Sequence, residues 1–106
     1  MANIETIRIE FQKILESIMD GNKVYYQPPS TKKIEYPCIV YSRNNIENRY
    51  ASDDVYGQNH SYTVTVIDKD PDSKYVEKRS TLPYARFSRH FTSDNLNHDV
   101  FTIYYK

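Results

Sequence analysis

The side chains best able to do chemistry are the carboxylates of Asp68-Lys69-Asp70-Pro71-Asp72, the three histidines His60, His90 and His98, and the single cysteine, Cys38. Oxygen ligands at alternate positions are how a calcium loop begins. With Asp68 as the first ligand, however, Ser73 stands where a glycine is needed for the turn and Arg79 where a bidentate Glu must close the shell. The sequence therefore assigns these aspartates to helix capping and to no metal. The histidines lack an i,i+4 or His-x-His spacing, and one cysteine cannot complete a zinc set. Cys38 as a nucleophile would need a neighbouring base, and none can be nominated, so a small buried thiol is expected. With Gly21 and Gly57 the only glycines, neither a phosphate loop nor a dinucleotide fingerprint can be written. No catalytic residue, metal or cofactor is expected, and a small hydrolase using His90 or His98 is the remote alternative. One grouping suits contact rather than reaction: Arg89 lies between Phe87 and Phe91, and strand alternation puts the three on one face. Arg among aromatics is typical of protein interfaces; the other reading is an Arg snorkelling at a sheet edge.

The elements that must hold these groups follow from hydrophobic period. Ile4, Ile7, Phe11, Ile14, Leu15 and Ile18 recur at steps of three and four, so residues 3–20 read as an amphipathic helix capped by Asn3 and ended at Asp20-Gly21-Asn22. Residues 23–27 read as a short strand at or near an edge, and 38–43 as a central strand after Pro37, since Cys38 and Val40 share one face and Ile39 and Tyr41 the other. Residues 62–67 alternate, with Tyr62, Val64 and Val66 opposite Thr63, Thr65 and Ile67. Asp70 is the expected N-cap and Pro71 the first residue of a helix over 71–81, whose apolar side is Tyr75, Val76 and Leu82 and whose end is set by Pro83. Strands at 86–91 and 99–105, joined at Ser93-Asp94-Asn95, should pair as a hairpin. The expected fold class is α+β: a mixed or antiparallel sheet of about four to five strands with two helices packed on one face, in the order helix, three strands, helix, two-strand hairpin.

Length and charge narrow the function. The 106 residues make one domain, 1–106, able to bury roughly 65% of its unfolded surface without staples. Fourteen basic against fourteen acidic side chains give a net charge of zero, which argues against a general binder of nucleic acid or anionic membrane. No stretch approaches a membrane span, and residues 1–20 do not read as a signal peptide, so a soluble protein made in cytoplasm is expected. Eleven tyrosines and four phenylalanines, without tryptophan, suit half-buried sheet faces and contact surfaces alike. Residues 43–58, RNNIENRYASDDVYGQ, carry little packing signal and read as a long loop or a loose hairpin, either functional or mobile.

The wording of the C-terminal half, SYTVTVIDKDPDSKYVEKRSTLPYARFSRHFTSDNLNHDVFTIYY, adds a resemblance. Three pieces carry it: an alternating strand running through an acidic turn into a short helix, the Leu82-Pro83-Tyr84 exit, and Phe91-Thr92-Ser93-Asp94-Asn95-Leu96-Asn97-His98 between two aromatic strands. Tyr36-Pro37-Cys38-Ile39 at the start of a strand and the N-terminal helix fit as well. In these features the chain resembles the tail-completion, or tail-terminator, proteins of the head-to-tail joining region of long non-contractile-tailed bacteriophages and prophages of Gram-positive bacteria. The resemblance implies a structural virion protein without catalysis: a homo-oligomeric ring, usually a hexamer, that caps the tail tube and docks to the head connector protein. It implies a location in the virion, and in the host cytoplasm during assembly, with nucleic acid met only by passage through the ring lumen. Tyr84, Phe87, Arg89 and Phe91 are then the candidate subunit interface, and Asn44, Asn45, Arg49, Tyr50, Asp53 and Asp54 a candidate docking loop toward the tail tube protein or the connector. The rival reading is a small nucleic-acid-binding module of a phage or prophage.

Overall fold

The structure, a computed structural model, describes residues 3–19, 23–29, 33–51, 54–78 and 85–105, with side chains described except at 47–51, 54–58 and 77–78. Helix α1 (Ile4–Ile18) begins where Asn3 Oδ1 accepts the Thr6 N–H at 2.8 Å, as the sequence suggests. It buries Ile7, Phe11, Leu15 and Ile18, whereas Ile4, the first of the apolar series, is exposed in the opening turn. The chain continues through β1 (Val24–Tyr26), β2 (Cys38–Ala51), β3 (Asp54–Asp68), α2 (Lys74–Lys78), β4 (Ala85–Ser93) and β5 (Leu96–Tyr104). The fold is α+β, with a five-stranded sheet in the order β1-β2-β3-β5-β4. The sheet is mixed: β1 pairs parallel to β2, and the other three pairings are antiparallel.

An aromatic cluster sits between α1 and the sheet. Phe11 stacks on Tyr62 with centroids 4.4 Å apart, meets Tyr41 edge-on at 5.7 Å and touches Tyr105 at 5.5 Å. Around it pack Ile39 of β2, Val64 and Val66 of β3, and Phe101 and Ile103 of β5, all buried, with Tyr75 and Val76 of α2 partly buried against the same cluster. The face holding Tyr62, Val64 and Val66 is the one the alternation assigns to one side of a strand. Phenol hydroxyls need partners when buried. Tyr41 finds one, donating to Gln12 Oε1 at 2.7 Å, and burial raises its pKa. The Tyr62 hydroxyl and His60 Nδ1 are buried without a hydrogen-bond partner among the described residues.

Three expectations are narrowed or corrected. Of the two readings of residues 43–58, a long loop or a loose hairpin, the hairpin is the one observed: β2 and β3 stay paired through this stretch as far as Ala51 opposite Asp54. β5 pairs with β3 only from Ser61 to Asp68, so from Asn59 toward the tip β2 and β3 pair with each other alone, as a two-stranded arm. Fourteen residues at about 3.3 Å each set the long dimension of a molecule measuring 51 × 25 × 23 Å. Second, α2 begins at Lys74, not at Pro71, and Asp70 does not cap it. Ser73 lies just before it and its Oγ accepts the Tyr75 N–H at 3.3 Å, while Asp68 Oδ1 and Asp70 Oδ1 accept the N–H groups of Asp70 and Asp72. Aspartates at alternate positions thus satisfy each other's backbone in Asx turns, which compete with helix geometry and delay its start. Residues 79–84, and with them the expected exit at Leu82 and Pro83, lie outside the described part, as do Asp20, Gly21 and Asn22. Third, β4 and β5 are longer than expected, closing on Ser93 opposite Leu96. The two residues between, Asp94 and Asn95, have φ of 52° and 63°, the left-handed pair of a two-residue hairpin turn.

Candidate interaction surface

The sheet has one face toward α1 and one away from it, and register decides which side chains reach the second. On β5, Phe101 and Ile103 turn inward, so His98, Val100, Thr102 and Tyr104 turn out. On β4, Ala85 and Phe87 lie opposite Ile103 and Phe101 on the α1 side, and Arg86 lies opposite Thr102 on the outer side. A β-bulge then falls between Phe87 and Arg89, placing Arg89 opposite Val100, His90 opposite Asp99 and Phe91 opposite His98. One extra residue in a strand reverses the alternation beyond it.

The bulge divides the expected trio. Arg89 and Phe91 share the outer face, with the Arg89 guanidinium 5.1 Å from the Phe91 ring centre, and Phe91 stacks on His98 at 4.5 Å with planes 10° apart. Phe87 points to the other face and meets Phe101 edge-on at 5.4 Å, while remaining 47% exposed. The expectation that Phe87, Arg89 and Phe91 form one surface is therefore wrong, and Arg86, which simple alternation set apart from Arg89, joins it. Tyr84 lies outside the described residues.

Toward β4 the outer face is bare. Arg86, Arg89, Phe91 and Tyr104 are exposed, whereas toward β2 Cys38 and Ile67 on the same face are buried. Burial pushes the Cys38 thiol up to about 12, outweighing the nearby Lys23 charge. Among strand residues with described side chains, this face carries Arg86 and Arg89 and no carboxylate, because Asp68 and Asp99 belong to the opposite side. β4 is also a sheet edge, with one side of its backbone unpaired in the sheet.

Of the six expected docking-loop residues, Asn44 lies at a second bulge, between Arg43 and Asn45, and its Nδ2 donates to Ser61 Oγ at 3.1 Å. Asn45 pairs with Ser61 at the root of the arm. Arg49, Tyr50 and Asp54 lie on the arm strands, and Asp53 lies outside the described residues. The five described residues lie on a paired hairpin, the second of the two readings of this stretch, and not on a loop.

Two arrangements escaped the sequence. His90 Nδ1 and Asp99 Oδ1 lie 2.7 Å apart across β4 and β5 on the α1 side of the sheet. Asp99 also lines a cavity of about 180 Å³ with Pro71, Asp72, Ser73 and Val76. Pairing of His90 with Asp99 depends on the bulge, and only the even number of residues, Ser88 and Arg89, between two inward side chains, Phe87 and His90, could have signalled it. Such a pair orients an imidazole, but the Ser73 hydroxyl beside Asp99 already accepts a backbone N–H as part of the helix cap. Among the described residues no group of three or more His, Cys, Asp and Glu is placed to hold a metal ion, and no helix is long and apolar enough to cross a membrane. What the outer face of β4 and β5 offers is a cationic and aromatic surface for binding. Comparison of the chain with protein-family models and with curated proteins finds no match to either.

Proposed function

We propose that this protein is a structural joining protein of a tailed bacteriophage or prophage: a homo-oligomeric ring, of six copies by the family resemblance, that caps the tail tube and docks to the head connector. The observation that carries the reading is the bare sheet face beside an open edge strand, where Arg86, Arg89 and the stacked pair Phe91 and His98 supply the arginine-aromatic chemistry of a protein contact surface. In this reading both helices cover one face of the sheet, leaving the other to a neighbour, and the arm of β2 and β3 reaches toward the tube or the connector. The pairing of the arm backbone suits reach, since two strands project where a loop of the same length would collapse.

The same face favours a second reading, a nucleic-acid-binding module, because two arginines and exposed rings without a carboxylate are what a single strand would meet. Zero net charge weighs against it. Arg89→Glu separates the two when expressed from the phage or prophage that encodes the chain. Because Arg89 is exposed, its melting temperature should stay within a few degrees of wild type. Lysates should then show headless tails or tails of uncontrolled length. Normal yields of complete virions would remove Arg89 from the interface.

A further inference from the structure

We infer that the occupant of the bare face is the acidic turn of a second copy of this chain, the segment Asp68-Lys69-Asp70-Pro71-Asp72. The inference rests on the ring reading and names the contact that would build it.

Charge is segregated in a protein whose total is zero. The outer side of β4 presents Arg86 and Arg89 without a carboxylate on the described strand residues around them. The turn after β3 carries three carboxylates against one ammonium, and Asp70 and Asp72 are both exposed. The turn is also rigid. Asp68 Oδ1 holds the Asp70 N–H at 3.1 Å and Asp70 Oδ1 the Asp72 N–H at 2.9 Å, while Asn97 Nδ2 on β5 donates to the backbone oxygens of Lys69 at 3.2 Å and Asp68 at 3.5 Å. A segment already ordered loses little entropy on docking. Each carboxylate that accepts from the turn keeps a second oxygen with which to meet a guanidinium.

Geometry separates the two patches. The turn projects from the end of the sheet where β3 finishes, and the arginines lie on the outer face of β4, so one copy cannot bring its own turn to its own arginines without leaving the register of β3, β5 and β4. Contact between two different patches can repeat head-to-tail, the type that generates rings when the rotation closes, whereas a reciprocal pair of such contacts would stop at a dimer.

Cysteine pairing tests it, because Cys38 is fully buried and stays out of the reaction. Arg89→Cys and Asp70→Cys chains are purified separately, mixed at low salt and oxidised mildly, and wild type is run in parallel by native mass spectrometry, alone and with purified tail tubes. Mixed dimers should exceed both kinds of self-pair, and in wild-type background Arg89→Glu should weaken association by roughly fivefold to tenfold, with Asp70→Arg in the partner chain restoring it. If wild type forms rings but mixed dimers appear only in statistical proportion, the ring stands and this contact is wrong. If mixed dimers form efficiently but wild type assembles only open chains, the contact stands and the ring reading fails. Neither rings nor mixed dimers would overturn both. Should Arg89→Glu instead abolish binding of a fluorescent single-stranded oligonucleotide at physiological salt, the occupant of the face is nucleic acid, and the inference falls.

Discussion

His60 and Cys38 show how burial sets the chemistry of single residues here. Burial, and secondarily the charge of Arg43, hold the His60 imidazole below its ordinary value of 6.5. The folded protein keeps this ring neutral at a pH at which the unfolded chain takes up a proton. The stability it contributes is complete above pH 6.5 and declines as pH falls from there toward the lowered folded value. His60→Gln should flatten that decline, seen as a smaller difference between urea midpoints measured at about pH 7.5 and about pH 5.5. Parallel losses in variant and wild type would show that other groups set the acid limit. Cys38 is fully buried with its thiol pushed up to about 12. A thiol reagent at mildly alkaline pH should therefore label it only as fast as the protein opens, and at once in denaturant. Rapid labelling of native protein would mean that the face above β2 is open.

At the scale of elements, the acidic turn and the bulge decide most of what differs from a reading by period alone. Because Ser73 caps α2 and is almost fully buried, Ser73→Ala should cost about 0.5 to 2 kcal/mol. Asp70→Ala removes one exposed Asx turn and should cost less, and chemical denaturation of the two variants ranks them; the reverse order would return the cap to Asp70. Helix α1, the inward faces of β3 and β5 and the closing hairpin were legible in the sequence, since each buries one face and so shows its period. Ile39, Tyr41, Phe101 and Ile103 fall where alternation put them, and all are buried. For residues 43–58 the sequence admitted a hairpin beside a loop but not its length or register, which backbone pairing between β2 and β3 sets without a trace in side-chain type. The bulge after Phe87 was not legible either; it shifts Arg89 and Phe91 to the opposite face at no visible cost in composition. Arg89 and Phe91 stand out as candidate contact residues by type alone, but their surroundings, Arg86 and His98, depend on register between strands and cannot be read from one strand.

For the whole molecule, the relation between the two faces matters more than any single residue. One face is closed by the aromatic cluster under α1, and the other is bare toward an edge strand, with basic and acidic groups set apart on a chain of zero net charge. A free edge and an arginine-aromatic face are liabilities for a monomer and resources for an assembly. A long two-stranded arm is only marginally stable alone, so in the proposed joining role contact with a tube or connector would hold it. The most direct measurement of the proposed joining role is deletion of the gene that encodes the chain, followed by electron microscopy of lysates and complementation in trans. The expected result is full DNA-filled heads beside unattached tails, or tails of irregular length, with virions restored by the wild-type chain and not by Arg89→Glu. Complete virions at normal yield from the deletion would contradict the joining function outright.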